Sequence, residues 1–463
     1  MVFKCTCKLL GRFPPGFGKK SLGATIKPLI VAGAAHQRHT GNLGDTFIQF
    51  KIGSRHFHSS NAIYSLLQKH KREIAQKKPK SPQDGPEPSY ERISFSEEKF
   101  YHHHYQFICE HGGVLPNITI AFETWGKLNR RKDNAVLIFS GLSGSSHAKS
   151  HQGVENSRTG WWENFIGPGG KIDTEKYFVI CANHLGGCFG TTGPSSINPN
   201  TKLPYGGDFP IISVKDLVDA QFLLIDHLGI KSLHAVVGSS LGGMASLLAA
   251  SLYPQRIKKM VSISAAVSAH PTAIAFRYIQ RQALMSDPAW RRGHYYSKGL
   301  PVRGMQLARK IATLTYRSGP EWNERFGRKR VESSDIVYPR LDVAEFEIED
   351  YIRHQGENFF QKSQYDPNSL LYLTKAMDLF DLSVGYNSME ESVARMKMPC
   401  LIMGASSDLL FPATQQVELA ELLKSSGNEN VTLILIEGKY GHDTFLLDVE
   451  GMGTHTKMFL ETH

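Results

Sequence analysis

The sequence predicts an α/β fold, in which a mostly parallel sheet carries helices on both faces. Two observations lead to this prediction. Short apolar runs of strand length recur along residues 95–269 and 397–463, and stretches with apolar residues at helical spacing separate several of them. Parallel strands need connections long enough for a helix, so this alternation favours a parallel sheet. We therefore expect ligands to bind beyond the carboxyl ends of the strands.

The first 60 residues carry most of the net positive charge of the chain. They hold nine Lys or Arg and one acid, Asp45, out of 53 basic and 43 acidic residues in all. Basic residues scattered among Ser, Gly and small apolar residues are typical of a mitochondrial transit peptide. We predict a transit peptide over residues 1–60, with the cleavage region near 55–60, and a location in the mitochondrial matrix. A disordered basic tail is the alternative.

The rest of the chain is nearly neutral, which argues against a nucleic-acid-binding or membrane-binding protein despite the net charge of +10. No apolar run reaches the roughly 18 residues that a membrane-spanning helix needs. Residues 61–94 are rich in Lys, Pro, Gln and Ser and are predicted to be a disordered linker. The folded domain is expected to begin near residue 95.

The strands and helices of this domain are predicted from hydrophobic periodicity. The predicted strands are residues 118–124, 135–139, 177–182, 233–237, 260–264, 400–404 and 431–437, and the clearest helices are 214–228 and 412–424. Residues 270–396 lack a clear strand and carry Arg, Tyr, Gln and Met at helical spacing. This segment is predicted to be a helical lid that keeps water from a reactive acyl group.

The segment between the fourth predicted strand and the next helix contains a candidate nucleophile. Residues 238–242 read Gly-Ser-Ser-Leu-Gly, the G-x-S-x-G pattern of a nucleophile elbow. In that turn Ser240 would be presented at the carboxyl end of a strand. The amide of Leu241 would face the oxygen that becomes negative during acyl transfer.

A serine hydroxyl needs a base to take its proton and a third group to orient that base. Asp408 follows the strand at 400–404, and His442 follows the strand at 431–437, so both lie at the edge that carries Ser240. Asp443 is a competing acid, but neighbouring residues do not face one another. The order serine, acid, histidine is that of the α/β-hydrolase fold, and this is the fold that we predict.

Several strings of this sequence resemble the homoserine O-acetyltransferase family, or MetX-like acyltransferases, and within it the serine O-succinyltransferase branch. They include Phe-Glu-Thr-Trp-Gly-Lys-Leu-Asn at residues 122–129 and Gly-Leu-Ser-Gly-Ser-Ser-His-Ala-Lys-Ser at residues 141–150. The others are residues 160–162, 186–194, 238–243 and 441–443. The similarity runs from about residue 95 almost to the end of the chain.

The resemblance implies a ping-pong acyltransferase. Ser240 would take an acyl group from the co-substrate acyl-CoA, and His442 would then activate the hydroxyl of L-serine or L-homoserine. The amides of Leu241 and Leu142 would form the oxyanion hole, while Arg309 and Asp443 would bind the amino acid. The resemblance also implies a homodimer with small-molecule substrates. We further expect no nucleic-acid or membrane partner, no cofactor beyond the co-substrate acyl-CoA and no metal.

The choice of acyl group is predicted from Arg277. Residues 270–277 and 280–282 resemble the serine succinyltransferases, where an arginine stands at this place and can engage a succinyl carboxylate. The sequence departs from that branch at Gly144, where alanine or serine is usual, and at Leu241, where methionine is usual. Homoserine O-acetyltransferase and an esterase of the same fold stay open as alternatives, and cysteine biosynthesis is the expected pathway.

The cysteines and histidines supply no predicted metal or disulfide site. Six cysteines lie at scattered positions, which suits a reducing compartment. The tract at residues 102–104 consists of three histidines but lacks a separated pair of partner ligands, so we interpret it as a solvated edge.

Overall fold

The computed structural model describes residues 99–462 apart from 152, 154–157, 332–340, 342–343 and 364. The predicted transit peptide over residues 1–60 and the predicted linker over 61–94 lie outside the described residues. In the part of the chain that is described, no helix is both long and apolar enough to cross a membrane.

Eight strands form the central sheet, and all seven predicted strands are among them within two residues at each end. The strands are β1 Lys99–His103, β2 Ile118–Trp125, β3 Ala135–Phe139, β4 Phe178–Ala182, β5 Ala235–Ser239, β6 Met260–Ile263, β7 Cys400–Ala405 and β8 Val431–Ile436. Their order is β1-β2-β4-β3-β5-β6-β7-β8. Strands β3 to β8 run parallel, whereas β2 is antiparallel to both of its neighbours. The predicted fold class is confirmed.

Strand β1 was not among the predicted strands. It forms the edge of the sheet and contains the first two residues of the histidine tract, with His102 opposite Thr119 in β2. Its side chains are exposed or half-buried. An edge strand with so little buried surface lacks the apolar run by which the other strands are recognised.

Within the described ranges, eleven α-helices connect or cover the strands. They are α1 Val214–His227, α2 Leu241–Leu252, α3 Pro271–Met285, α4 Val302–Tyr316, α5 Gly319–Arg325, α6 Glu347–Ser363, α7 Pro367–Leu379, α8 Met389–Ala394, α9 Ala413–Ser425, α10 Thr444–Leu447 and α11 Val449–Glu461. Two short strand pairs lie outside the main sheet: Phe107–Ile108 with Val114–Leu115, and Ile166–Gly167 with Ile172–Asp173. Short 3₁₀ helices occur at Gly206–Asp208, Pro254–Arg256, Pro288–Gly293 and Gly441–Asp443.

Both faces of the sheet are buried, as the continuous apolar strands predict. Along β3, Leu137 and Phe139 pack into the cluster formed with α1 and α2. Val136 and Ile138 pack on the opposite face with Trp162 and residues of α11. This alternation follows from the two-residue period of a strand. The parallel strand order places the carboxyl ends of β5, β7 and β8 at one edge of the sheet, where the candidate site lies.

The segment between β6 and β7 contains the helices α3 to α8. Among its described residues the only β contacts are isolated bridges, Ser268 with Asp381 and Arg330 with Phe346. The predicted helical content is therefore present. Side chains from α3, α4, α6 and α7 form one wall of a pocket that also contains Ser240. The action of this insertion as a water-excluding lid stays a prediction.

The glycines that flank Ser240 let three backbone segments approach closely. A Cβ atom at Gly242 would lie 2.0 Å from the carbonyl oxygen of Phe139, and one at Gly238 would lie 2.0 Å from the carbonyl oxygen of Gly242. Neither contact can be relieved by a side-chain movement, because both oxygens belong to the backbone. The close packing of β3, β5 and α2 therefore requires glycine at these two positions of the elbow.

We expect Gly242→Ala to lower the free energy of unfolding by at least about 1–3 kcal/mol, the usual penalty of overpacking. Chemical denaturation followed by circular dichroism would measure it. Gly319→Ala is the matched control, since a Cβ atom there meets no heavy atom within 4 Å. Equal stability of the two variants would contradict the close packing of the elbow.

Candidate active site

Ser240 lies between the end of β5 and the start of α2. Its backbone has φ 58° and ψ −122°, a conformation that costs a residue with a side chain of order 1–3 kcal/mol. The turn is held on both sides, because the Ser240 amide donates to the carbonyl of Ile263 at 2.9 Å and the Ser240 carbonyl accepts from the amide of Met244 at 3.0 Å. The strained turn places the Ser240 side chain in the pocket wall.

His442 is oriented by Asp408, the acid that the sequence order predicts. Its Nδ1 lies 2.7 Å from Oδ2 of Asp408, and both side chains are buried. The other carboxylate oxygen accepts the amides of Leu410 at 2.9 Å and Phe411 at 3.0 Å. Because Nδ1 is committed to Asp408, Nε2 is the ring nitrogen that can accept a proton from a hydroxyl group. His442 and Ser240 line the same pocket.

The surroundings of His442 favour its protonated form. Burial acts to lower the pKa of His442, but the charge of Asp408 and its hydrogen bond outweigh burial, and Asp443 acts in the same direction. The positive charge of Arg277 acts in the opposite direction and lowers the pKa of His442. The net effect places the pKa of His442 above its ordinary value.

We expect kcat/KM to rise with pH, with a midpoint above the ordinary histidine pKa of about 6.5, because His442 must be neutral to act as a base. A pH–rate profile would measure this midpoint. Nitrogen NMR of His442 in Asp408→Asn should show the imidazole pKa moved to lower pH, since an anion that favours imidazolium is gone. An unchanged or higher imidazole pKa in that variant would contradict the assignment.

The residues predicted for the oxyanion hole flank Ser240 from two sides. Leu241 is the first residue of α2, so its amide lacks a partner within the helix and lies at the positive end of the helix dipole. Leu142 lies in the loop after β3 and lines the pocket. The carbonyl of Leu142 accepts the Tyr365 hydroxyl at 2.8 Å, so the helical insertion anchors this loop. Sequence reasoning missed Tyr365.

Arg309 and Asp443, the predicted amino-acid-binding residues, are both buried in the wall of this pocket. The Arg309 guanidinium lies 4.2 Å from the ring centre of Phe359 and 4.9 Å from that of Tyr316. The Asp443 carboxylate lies 3.6 Å from Nε of Arg317, a fully buried arginine that the sequence did not single out. Asp443 thus pairs with Arg317, while Asp408 holds His442.

The pocket is mostly apolar and contains a few convergent polar groups, as small-molecule sites usually do. It encloses about 1010 Å³ of unfilled space, part of it open to solvent. The polar lining includes Arg277 from α3, whose side chain is buried. Apolar walls that the sequence did not predict are supplied by Trp161, Tyr316, Phe359, Leu370, Met377 and Phe445.

A second polar cluster, Glu123 with His147 and His151, lies outside this pocket lining. The two imidazoles hydrogen-bond the same oxygen of Glu123, at 2.9 Å from His147 and 2.7 Å from His151. Burial lowers the pKa of His147, but its hydrogen bond with Glu123 raises it above the ordinary value. These residue types are possible metal ligands. The hydrogen bonds account for the closeness of the three side chains. The absence of a metal stays a prediction.

Comparisons with known proteins give the fold and the family. A family model described as alpha/beta hydrolase fold matches residues 134–449. A serine O-succinyltransferase of Emericella nidulans is 44% identical over 440 residues, which covers 81% of this chain and 83% of that protein. A homoserine O-acetyltransferase of Deferribacter desulfuricans is 44% identical over 354 residues, covering 76% of this chain and 92% of that protein.

The crystal structure of esterase E22 superposes with a TM-score of 0.71 at 30% identity, covering 79% of this chain and all of that chain. Two enzyme classes therefore share this fold, but the two relatives described above, each 44% identical, are both named as O-acyltransferases. The predicted family is confirmed. The chain belongs to the homoserine O-acetyltransferase family of MetX-like acyltransferases within the α/β-hydrolase superfamily, and it is an O-acyltransferase of amino-acid biosynthesis.

Proposed function

We propose that this enzyme transfers a succinyl group from succinyl-CoA to the hydroxyl of L-serine, in the synthesis of cysteine. One observation carries the proposal: Ser240 on its elbow, His442 held by Asp408, and the buried Arg277 line one pocket. The serine O-succinyltransferase of Emericella nidulans, at 44% identity, supports the succinyl group and the serine acceptor.

In the first half-reaction, Ser240 Oγ attacks the thioester carbonyl while His442 takes the hydroxyl proton. The negative oxygen of the tetrahedral intermediate is held by the amides of Leu241 and Leu142. The carbon–sulfur bond then breaks, and His442 returns the proton to the CoA sulfur. The products are free CoA and a Ser240 ester.

In the second half-reaction, His442 deprotonates the hydroxyl of the amino acid, which attacks the Ser240 ester. The Ser240 oxygen leaves and recovers the proton from His442, so the enzyme returns to its starting state. Arg309 would bind the carboxylate of the amino acid and Asp443 its ammonium group. Their place in the wall that also contains His442 supports these roles.

The succinyl group is favoured over acetyl because only succinyl offers a carboxylate to Arg277. Nη2 of Arg277 is buried and has no hydrogen-bond partner among the described residues. A buried cationic donor without an acceptor is costly, and a ligand carboxylate would supply the missing acceptor. An acetyl group would leave this donor unpaired.

We expect Arg277→Ala to lower kcat/KM for succinyl-CoA by about 10- to 100-fold, the value of a hydrogen bond to a charged group. With acetyl-CoA the loss should stay within about threefold, since acetyl makes no such bond. Both donors would be assayed on the alkaline plateau of the pH profile, because Arg277 also influences His442. An equal loss with both donors would reject the proposed role of Arg277.

The acceptor is tested directly with the purified full chain. Succinyl-CoA or acetyl-CoA would be combined with L-serine, L-homoserine or no amino acid, while CoA release and ester product are followed. We expect the highest kcat/KM for succinyl-CoA with L-serine. A preference for acetyl-CoA and L-homoserine would establish homoserine O-acetyltransferase instead. The two acceptors differ by one methylene, which is worth only about 1–3 kcal/mol in a pocket.

Hydrolysis is the second candidate, favoured by the likeness to esterase E22. An esterase would release CoA at the same rate with or without an amino acid and would form no amino-acid ester. That result would overturn the proposed acceptor.

We also propose a mitochondrial matrix location and a homodimer. The basic first 60 residues support the location, and the family resemblance supports the dimer. Amino-terminal sequencing of the enzyme from isolated mitochondria should find a start near residue 60. Analytical ultracentrifugation should give twice the chain mass. An intact amino terminus or a monomer would contradict the respective proposal.

A further inference from the structure

We propose that Asp378 and Arg281 are positioning residues that direct the guanidinium of Arg277 toward the distal carboxylate of a dicarboxylic acyl group. This inference rests on the proposed function. Arg277 and Arg281 are one helical turn apart on α3, and Asp378 lies near the end of α7. The acid is about 100 residues from both arginines in sequence, so only the packing of α3 against α7 brings them together.

Asp378 is shared between the two arginines, with one carboxylate oxygen bound to each. Nε of Arg277 donates to one carboxylate oxygen at 2.6 Å, and Nη2 of Arg281 donates to the other at 2.5 Å. Asp378 therefore holds Arg277 by its Nε alone rather than through a two-bond pair. This leaves Nη2 of Arg277 without a hydrogen-bond partner among the described residues, and Arg277 is one of the residues that line the pocket.

The cluster also carries unbalanced charge. Two guanidinium groups share one carboxylate, and no second carboxylate is in ion-pair contact with either arginine among the described residues. The side chains of Arg277 and Asp378 are each about 5% exposed or less. Buried charges are stable when paired, so a net positive group in a pocket wall favours an anionic ligand. The free distal carboxylate of a dicarboxylic acyl group such as succinyl has the required chemistry.

Arg281 has a separate part in this arrangement. It is absent from the pocket lining, whereas Arg277 and Gln280 contribute to it. By engaging the second oxygen of Asp378, Arg281 prevents that carboxylate from pairing fully with Arg277. Removing the positive charge of Arg281 would release this oxygen to Arg277 and neutralise the donor that the substrate needs.

The test is the donor preference of Arg281→Gln, measured as kcat and KM with succinyl-CoA and acetyl-CoA. We expect KM for succinyl-CoA to rise about tenfold or more, with little change in kcat and with acetyl-CoA kinetics within about threefold. Arg281→Lys keeps the charge and should restore much of the succinyl preference. Asp378→Ala should also weaken succinyl-CoA selectively, because Arg277 loses its anchor.

Arg256→Gln is the control, since Arg256 forms an ion pair with Asp226 that is remote from the pocket lining. Thermal unfolding would separate loss of fold from loss of selectivity.

Equal losses with both donors in Arg281→Gln, or no rescue by Arg281→Lys, would show that the cluster only links α3 to α7 structurally. If Arg277→Ala loses succinyl preference while Arg281→Gln keeps it, this inference fails and the proposed function stands. A wild-type preference for acetyl-CoA would instead defeat the proposed function.

Discussion

Ser240→Ala should abolish amino-acid ester formation, with kcat lowered on the order of 10⁴- to 10⁶-fold, as is usual when a catalytic serine is removed. The alanine cannot form the acyl-enzyme, so incubation with succinyl-CoA should add no succinyl group to the protein. Intact-protein mass spectrometry would measure the adduct, and CoA release would measure turnover. The fold should persist, because the turn is held by backbone hydrogen bonds of Ser240.

Ser239→Ala is the matched control for this variant. Ser239 precedes Ser240 at the end of β5, is fully buried, and its hydroxyl has no hydrogen-bond partner among the described residues. Removal of the Ser239 hydroxyl should leave the acylation of Ser240 nearly unchanged. Ester formation that survives in Ser240→Ala, or that disappears equally in Ser239→Ala, would refute Ser240 as the nucleophile.

Asp408→Asn should lower kcat by about 10³- to 10⁴-fold without displacing the loop. The amide oxygen of asparagine can still accept from Leu410 and Phe411. Its NH₂ group would face Nδ1 of His442 and force that nitrogen to become an acceptor. The proton then lies on Nε2, and His442 can no longer take the proton of Ser240. Pre-steady-state release of CoA would measure the acylation step.

Asp443→Asn distinguishes this effect from a general loss of negative charge. Asp443 adjoins His442 but contacts Arg317 instead of the imidazole. Since its proposed partner is the amino acid, acylation without an acceptor should stay within about tenfold of wild type, while KM for the acceptor rises. If Asp443→Asn slowed acylation as much as Asp408→Asn, the assignment of the orienting acid would be wrong.

The sheet and the catalytic order were predictable because both depend on local patterns. Buried parallel strands need continuous apolar runs, and β3 matches its predicted bounds at Ala135–Phe139. A nucleophile elbow needs small residues around the serine, because a Cβ atom at Gly242 would enter the backbone of β3. Asp408 and His442 each follow a strand, so the parallel topology alone brings them to the edge that holds Ser240.

Edge strand β1 and the partners of the charged site residues were not predictable in this way. Strand β1 buries little surface and so lacks an apolar signal. The contacts of Asp443 with Arg317 and of Leu142 with Tyr365 join segments that are distant in sequence. Their residue types occur throughout the chain, and no spacing rule selects the pairs.

The sequence was sufficient to predict the α/β-hydrolase fold and to place Ser240, Asp408 and His442 at one edge of the sheet, because strand periodicity and steric limits on a turn act over a few residues. The arrangement around Arg277 depended on the tertiary structure. Its anchor, Asp378, comes from another helix, and the charge balance of a buried cluster is set by every group that packs around it. In the function that we propose, the choice of acyl group therefore depends on how α3 packs against α7.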